Sequence, residues 1–420
     1  MSSHRAFSSR EEIEAAQLEK LCGLVSRILP GNQFYTQKFG ADFQVDSLAE
    51  FSCDAPFTFK TELVEDQKKH PLYGSNLTYD LACYSRFNQT SGTTGAPLRW
   101  LDTNESWIAL LHCWNEVFTA ADVSTHATIF FAFSFGPFLG FWTAFESATQ
   151  RGNLCIPGGG LSSEGRLRAI WDNRASIVCC TPTYAIRLGE TAQKMGLSLS
   201  PVQAIIVAGE AGGSIPGVRG RIESLWPGAR VFDHHGMTEI GPVTYECPAQ
   251  VGRLHVIESA YLAEVVDGNG VRVSPGETGE LVLTNLVRDG MPLLRYRTGD
   301  LVKISTERCQ CGRYEMSLEG GILGRADDMI IVRGVNIFPG AVEEVVRGFD
   351  EIVEYRVEVD AREAMPELRL QIEAASSDVA RRLEEALRAA FALRIPVETV
   401  PENTLPRFEM KAKRWIKLET

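Results

Sequence analysis

Between Ser176 and Phe232 the chain alternates short β-rich apolar runs with helical patterns, and this alternation constrains the fold more than any other feature. Ser176-Ile177-Val178-Cys179 reads as a buried strand, and Tyr184 to Met195 as the helix after it. Ala204-Ile205-Ile206-Val207-Ala208 is the next strand, followed by a helix over Val218 to Leu225 and a strand at Arg230-Val231-Phe232. Parallel strands need long crossovers, usually helices, so this spacing predicts βαβ units and a parallel sheet. Ligands of such sheets bind beyond the carboxyl ends of the strands. Gly209-Glu210 and His234-His235-Gly236 stand just past two of those ends.

Upstream, Trp107, Leu110, Leu111, Trp114, Val117 and Phe118 share one helical face, with Thr103 or Asn104 as the cap. That aromatic stripe reads as core. The stretch from Ala127 to Phe145 carries no charge and approaches the ~20 residues that span a bilayer. Gly136-Pro137 and Gly140 interrupt it, so it reads instead as a buried strand, a turn and a helix. No membrane span is expected. After Gly324 the pattern changes. Tyr355, Val357 and Val359 alternate, as do Leu368, Leu370 and Ile372, while Asp378 opens a helix with Val379, Leu383, Leu387, Ala390 and Phe391 inward. The expected architecture is α/β: a large domain over residues 1–323 with parallel sheets and helices, and a small α+β domain over 324–420.

The net charge is -12 and no Lys/Arg block interrupts it, so nucleic acid is not an expected partner. Met1-Ser2-Ser3-His4-Arg5 leads into the charged Ser9-Arg10-Glu11-Glu12 without the apolar core of a secretory signal. A cytoplasmic protein is expected, with its ten cysteines mostly reduced thiols.

The sharpest local signal is Thr90-Ser91-Gly92-Thr93-Thr94-Gly95-Ala96-Pro97. Glycines allow close backbone approach, and hydroxyls with free N–H groups can cradle a polyphosphate. No Gly-Lys-Ser/Thr follows, so this is not a Walker A loop; taken alone it could equally be a polar turn. Downstream come His235-Gly236-Met237-Thr238-Glu239, Tyr296-Arg297-Thr298-Gly299-Asp300, Gly324-Arg325-Ala326-Asp327-Asp328 and Arg333-Gly334-Val335-Asn336-Ile337-Phe338-Pro339. With this ordered set the chain, from about Thr90 onward, resembles the adenylate-forming superfamily and specifically the phenylacetate–CoA ligase family.

The resemblance implies roles. Ser91, Gly92, Thr93, Thr94 and Gly95 would hold the phosphates of ATP. Gly209, Glu210 and Ala211, with Asp233, His234, His235 and Gly236, would line the adenine pocket, and Met237 belongs to the same nucleotide-binding stretch. Thr238 would contact the α-phosphate and Glu239 would ligate Mg²⁺, for which a carboxylate is a natural hard ligand. Asp300 would accept hydrogen bonds from the ribose hydroxyls, with Arg325 beside it. Asp327 matches the family's hinge, about which the small domain turns between adenylation and a thiol step served by Arg333 and Gly334. Lys411, with Lys413 as the fallback, would supply the cation needed where charge builds on the α-phosphate. Any one of these acids, and the lysine pair, also has an ordinary reading as a solvated surface group.

Three departures from the family pattern stand out: Ala96 where many relatives have lysine, His235 for the usual tyrosine, and Met410 for a glycine. Cys247 and His255 with the later Cys309-Gln310-Cys311 offer three thiolates and an imidazole, a set that suits tetrahedral zinc. The alternative is three reduced cysteines and an unrelated histidine; the resemblance, whose members carry a similar cluster, favours a closed structural zinc site. The phenylalanines from Phe130 to Phe145 fall in the zone that in the family lies near the acyl pocket, and Phe135 and Gly136 are the residues expected to face substrate.

The expected activity is ATP-dependent conversion of a small carboxylic acid, aromatic by resemblance, to acyl-AMP and then to a CoA thioester. One alternative keeps adenylation but passes the acyl group to a carrier-protein thiol or an amine. Another, suggested by the three departures, is a nucleotide-binding protein that has lost catalysis; Glu239, Asp300 and Lys411 stand against it.

Overall fold

The computed structural model describes residues 7–90, 97–332, 335–360, 367–408 and 412–418. The chain forms two compact units, each built from two separated stretches: Met1–Gly160 with Asp233–Gly321, and Leu161–Phe232 with Ile322–Thr420.

In the first unit four amphipathic helices, Arg10–Ile28, Gln33–Phe39, Leu48–Asp54 and Lys60–Lys69, come before any strand. Ser9 starts the first by accepting the Glu12 N–H, one of the donors a helix N-terminus leaves unpaired. Leu21, Leu24, Ile28, Tyr35 and Phe51 from these helices are buried against Leu262, Leu286 and Leu294. Those three belong to, or flank, an antiparallel sheet of Tyr261–Val266, Thr278–Asn285 and Tyr296–Lys303. The Tyr84–Gln89 and Arg99–Thr103 strands pair antiparallel on either side of the 91–96 segment. Thr103 then caps the Asn104–Ala120 helix through the Ser106 N–H, and the expected aromatic stripe is core: Trp107, Leu110, Trp114, Val117 and Phe118 are all buried.

The uncharged 127–145 stretch resolves as expected into the Thr128–Phe131 strand, turns, and the Trp142–Arg151 helix, which crosses over to the parallel Leu154–Pro157 strand. Among the described residues no helix is long and apolar enough to cross a membrane.

The second unit opens with the βαβ pattern read from the sequence. Ile177–Cys180 and Ala204–Val207 run parallel, joined by the Pro182–Met195 helix, and Arg230–Asp233 lies beyond Ala204–Val207. Both paired strands are buried on both faces, which is why their sequences are uninterrupted apolar runs rather than alternating ones. The remainder of the unit is an α+β body with strand order Val397–Val400, Glu367–Glu373, Glu354–Asp360, Trp415–Leu418. The central pair is antiparallel and both outer pairs are parallel. The Pro339–Arg347 and Ser377–Phe391 helices bury Val342, Val346, Val379, Leu383 and Leu387 against Val357, Leu370 and Ile372. The strands and the helix expected after Gly324 are observed, with two corrections: Ser376 rather than Asp378 caps the helix, and Ala390, expected inward, is exposed near the helix end.

Candidate active site

Within the first unit the segment from Asp233 to Glu239 is hydrogen-bonded to the Tyr296–Lys303 strand at Glu239 and approaches it again at His235. Tyr296 and Asp300 sit four positions apart on that strand, so both point to its buried face. The Tyr296 hydroxyl donates to Glu239 Oε1 at 3.1 Å, and Asp300 Oδ2 lies 3.2 Å from His235 Nε2. Glu239 and Asp300 are 6% and 4% exposed, and two carboxylates so far out of water need polar partners or a cation. The expected Mg²⁺ ligand, on the turn, and the expected ribose acceptor, on the strand, are thus both held at the buried face of Tyr296–Lys303. His235, expected to meet adenine, is engaged with Asp300.

The turn carrying Thr238 and Glu239 is braced from behind by Arg288. Its Nη1 donates to the carbonyls of both residues at 2.9 Å, while Nε and Nη2 fork the Asp102 carboxylate at 2.5 and 2.7 Å. Arg288 and Asp102 are both fully buried, and the guanidinium lies 5.4 Å from the centre of the Trp100 ring. The Gly236–Met237 and Gly241–Pro242 strands form a tight hairpin; a Cβ on Gly236 would sit 2.7 Å from the Gly241 carbonyl oxygen, so only glycine fits. Lys60 brings its Nζ to 3.8 Å from Glu239 Oε1. The sequence reading missed Lys60, Arg288 and Asp102. Single charges outside the motifs gave no pattern to read.

His234 is buried against Trp114, ring centres 4.4 Å apart, with Nδ1 2.6 Å from the Thr244 carbonyl. A carbonyl only accepts, so Nδ1 carries the proton of a neutral imidazole. Burial pushes its pKa down to about 3, which makes this histidine a neutral wall rather than a base. Its neighbour Asp233 accepts the His234 N–H at 3.0 Å and donates its own N–H to Glu246 at 2.8 Å.

The aromatic zone is a cluster of edge-to-face rings. Phe133 meets Phe135 and Phe138 at 5.0 and 5.1 Å, and Phe135 meets Trp142 and Phe145 at 4.8 and 5.3 Å. Such pairs are each worth about 0.5–1.5 kcal/mol beyond area burial. Phe135 adopts φ 52°, a left-handed conformation rare outside glycine, and the Gly136 carbonyl accepts from Trp142 Nε1 at 3.0 Å. Phe133, Phe135 and Phe138 keep partial exposure, unlike the fully packed Phe130 and Phe131.

In the second unit Gly209 takes φ 97° and turns the chain after the Ala204–Val207 strand, with Glu210 and Ala211 following. The Glu210 carboxylate accepts the Thr183 N–H at 2.9 Å and the Ala412 N–H at 3.0 Å. Arg325, expected beside Asp300, makes a two-pronged pair with the exposed Asp327 at 2.9 and 3.0 Å. Ser91 to Gly95, Ala96, Arg333, Gly334, Met410 and Lys411 lie outside the described residues. Lys413, the fallback, is exposed.

The Cys247, His255, Cys309 and Cys311 ligand atoms all lie within 4.8 Å of one another. Cys247 and Cys309 approach to 3.2 Å between sulfurs, and Cys311 Sγ is 3.4 Å from His255 Nε2. Tetrahedral zinc, with bonds of about 2.0–2.3 Å, would space its donors by about 3.5–3.8 Å, so this set needs little movement to hold it. Burial raises Cys247 and pushes Cys311 up to about 12, so without a cation these sulfurs stay protonated; a bound cation reverses that balance. The cluster staples the Cys309–Cys311 loop to the antiparallel sheet of Thr244–Glu246, Arg253–Val256 and Ser317–Glu319.

Comparison with known proteins adds an independent line. Residues 83–285 match the AMP-binding enzyme family and residues 334–418 the AMP-binding enzyme C-terminal domain. The chain is 32% identical over 371 residues to phenylacetate-coenzyme A ligase of Thermus thermophilus, covering 87% of this chain and 82% of the relative. A crystal structure of 2-hydroxyisobutyryl-CoA ligase in the postadenylation state with 2-HIB-AMP superposes with a TM-score of 0.92 at 26% identity, covering 98% of this chain and 91% of the other. The same ligase with 2-HIB-AMP and CoA in the thioesterification state gives 0.73 at the same identity and coverage.

Proposed function

This chain belongs to the phenylacetate–CoA ligase family of AMP-binding enzymes and is an acyl-CoA ligase, and from that premise we propose that it activates an aromatic carboxylic acid through the residues assembled above. The observation that supports the site assignment is the packing of the 233–239 segment on the Tyr296–Lys303 strand, through the Tyr296–Glu239 hydrogen bond and the approach of His235 to Asp300, which brings two buried carboxylates together. Asp300 accepts from the ribose hydroxyls of ATP, and His235 beside it faces the adenine. Thr238 contacts the α-phosphate. Glu239 holds Mg²⁺, which when bound neutralises charge on the phosphates. The Ser91–Gly95 loop takes the outer phosphates.

A substrate carboxylate oxygen attacks the α-phosphorus, the bond to the bridging oxygen breaks, and pyrophosphate leaves. Lys411 offsets the charge that builds on the α-phosphate. The small domain, from residue 324, then turns about Asp327 to present Arg333 and Gly334, and the thiol of CoA displaces AMP from the acyl carbonyl with loss of a proton. The half-buried rings of Phe133, Phe135 and Phe138 favour an aromatic acid, as does the phenylacetate of the Thermus relative. The aliphatic 2-hydroxyisobutyryl group of the solved relative shows that the fold alone does not fix that choice. The cysteine–histidine cluster holds structural zinc, since four protein donors leave no open position.

ATP–pyrophosphate exchange over a panel of aryl and alkyl acids tests the reading. Exchange with arylacetic or benzoic acids is expected, and exchange confined to alkyl acids would remove the aromatic assignment. Lys411→Ala should cut exchange by about 10²-fold or more, and an unchanged rate would take Lys411 out of its role. Metal analysis should find about one zinc per chain, and stripping it should lower the thermal midpoint by at least about 2–4 °C, the shift that about 1 kcal/mol makes in a body of this size.

A further inference from the structure

We propose that Glu210 is a positioning residue for acyl-adenylate formation: its carboxylate latches the Ala412–Arg414 segment during adenylation and releases it for thiol transfer. The inference rests on the assignment of Lys411 to adenylation and adds to it the part that holds the neighbouring backbone.

The geometry is that of a two-sided clasp. Glu210 follows the Ala204–Val207 strand on the turn made by Gly209. Oε1 accepts the N–H of Thr183, in the first turn of the Pro182–Met195 helix, at 2.9 Å. First-turn N–H groups have no intrahelical partner, and Thr181 already caps Tyr184, so a carboxylate here meets an open donor and the positive end of the helix dipole. Oε2 accepts the Ala412 N–H at 3.0 Å. One ionised side chain therefore joins a strand end, a helix start and a segment more than two hundred residues later, through charge-assisted bonds.

On its other side that segment belongs to the α+β body. Arg414 donates from Nε to Glu354 at 2.6 Å, and the Trp415–Leu418 strand that follows pairs with Glu354–Asp360. Arg414 Nη1 also reaches Thr183 Oγ1 at 3.4 Å. The segment is thus built into the body and, among the described residues, joined to Glu210 and Thr183 by two polar contacts, Ala412 N–H to Glu210 and Arg414 Nη1 to Thr183. Glu210 is half-buried, so water can replace those bonds when they open. Ala412 follows Lys411 directly, and neighbouring Cα atoms lie about 3.8 Å apart, so a hold on one amide limits where the adjoining side chain can reach.

The test separates the half-reactions in the purified full chain. Adenylation is read as ATP–pyrophosphate exchange with phenylacetate, or with the acid that scores highest in the panel above. Thiol transfer is read as thioester formation from the synthetic acyl-AMP of that acid and CoA. Both Glu210 oxygens accept backbone N–H groups, which replaces the adenine-pocket role expected from the sequence. In Glu210→Ala, kcat for exchange should therefore fall by about tenfold or more, with a loss in the thiol half-reaction at least about fivefold smaller. Glu210→Gln keeps one acceptor and should lose less. A raised KM for ATP with kcat intact would make Glu210 a nucleotide contact instead, and equal loss in both half-reactions would make it structural; either overturns the latch, as does no change. Lys411→Ala run in parallel keeps the two ideas apart. Exchange lost there but intact in Glu210→Ala sinks the latch alone, whereas exchange intact in Lys411→Ala sinks the assignment beneath it.

Discussion

Glu239 and Glu210 are both carboxylates on turns after strands, yet the molecule holds them by opposite means. The Glu239 turn is braced by Arg288 and Asp102, a fully buried pair that cannot exchange its partners for water. Glu210 is half-buried and, among the described residues, bonds uncharged backbone N–H groups, that of the buried Thr183 and that of the half-buried Ala412. The burial of the partners, rather than the number of bonds, separates a fixed support from a reversible one. Opening a buried ion pair strands a charge in low dielectric, while opening an exposed bond trades it for one to water.

The largest effect should come from breaking the brace. Asp102→Asn leaves the Arg288 guanidinium buried without its counter-charge and should cost about 3–5 kcal/mol in urea unfolding; a loss below about 1 kcal/mol would mean that the brace is no firmer than a surface pair. Next, Tyr296→Phe keeps the packing but removes the hydroxyl on Glu239. A bond to a charged group is worth about 1.5–3 kcal/mol, so exchange should need more Mg²⁺, and an unaltered Mg²⁺ titration would show that Tyr296 does not set Glu239.

A smaller, pH-dependent effect belongs to His234. Its folded pKa of about 3 lies below the ordinary 6.5, so between those values the unfolded chain binds a proton that the native one refuses. Stability contributed by the neutral ring is therefore complete above about pH 6.5 and is lost as pH falls towards about 3. His234→Gln should flatten the acid side of a plot of urea midpoint against pH, and an unchanged slope would place the acid sensitivity elsewhere. The smallest effect is expected for the exposed Arg381–Glu385 pair on the Ser377–Phe391 helix, whose removal by Glu385→Gln should cost no more than about 0.5 kcal/mol. A larger cost would blur the contrast between buried and exposed ion pairs.

Legibility followed the same physical divide. The Ile177–Cys180 and Ala204–Val207 strands, the Asn104–Ala120 and Ser377–Phe391 helices and the paired Glu354–Asp360 and Glu367–Glu373 strands were readable because periodicity and flanking turn residues are local properties. The Tyr261–Val266 strand was not: Glu264 interrupts its apolar run, and only the fold, by pairing Glu264 with Arg295, lets all six residues be buried. The cysteine–histidine cluster was readable because unusual residue types announced themselves before any geometry was known. Arg288 and Asp102 were not, since a single arginine and a single aspartate are ordinary surface residues until a fold encloses them.

By itself, then, the sequence determined the alternating architecture, the order of the motifs and the donor types available to a nucleotide and a metal. Only the tertiary structure decided which atoms meet: Tyr296 with Glu239, His235 with Asp300, Arg288 with Asp102 and Glu210 with Ala412. Local propensity acts over a few residues, whereas these pairings span stretches that the sheets bring together, and burial then sets how firmly each pair is held.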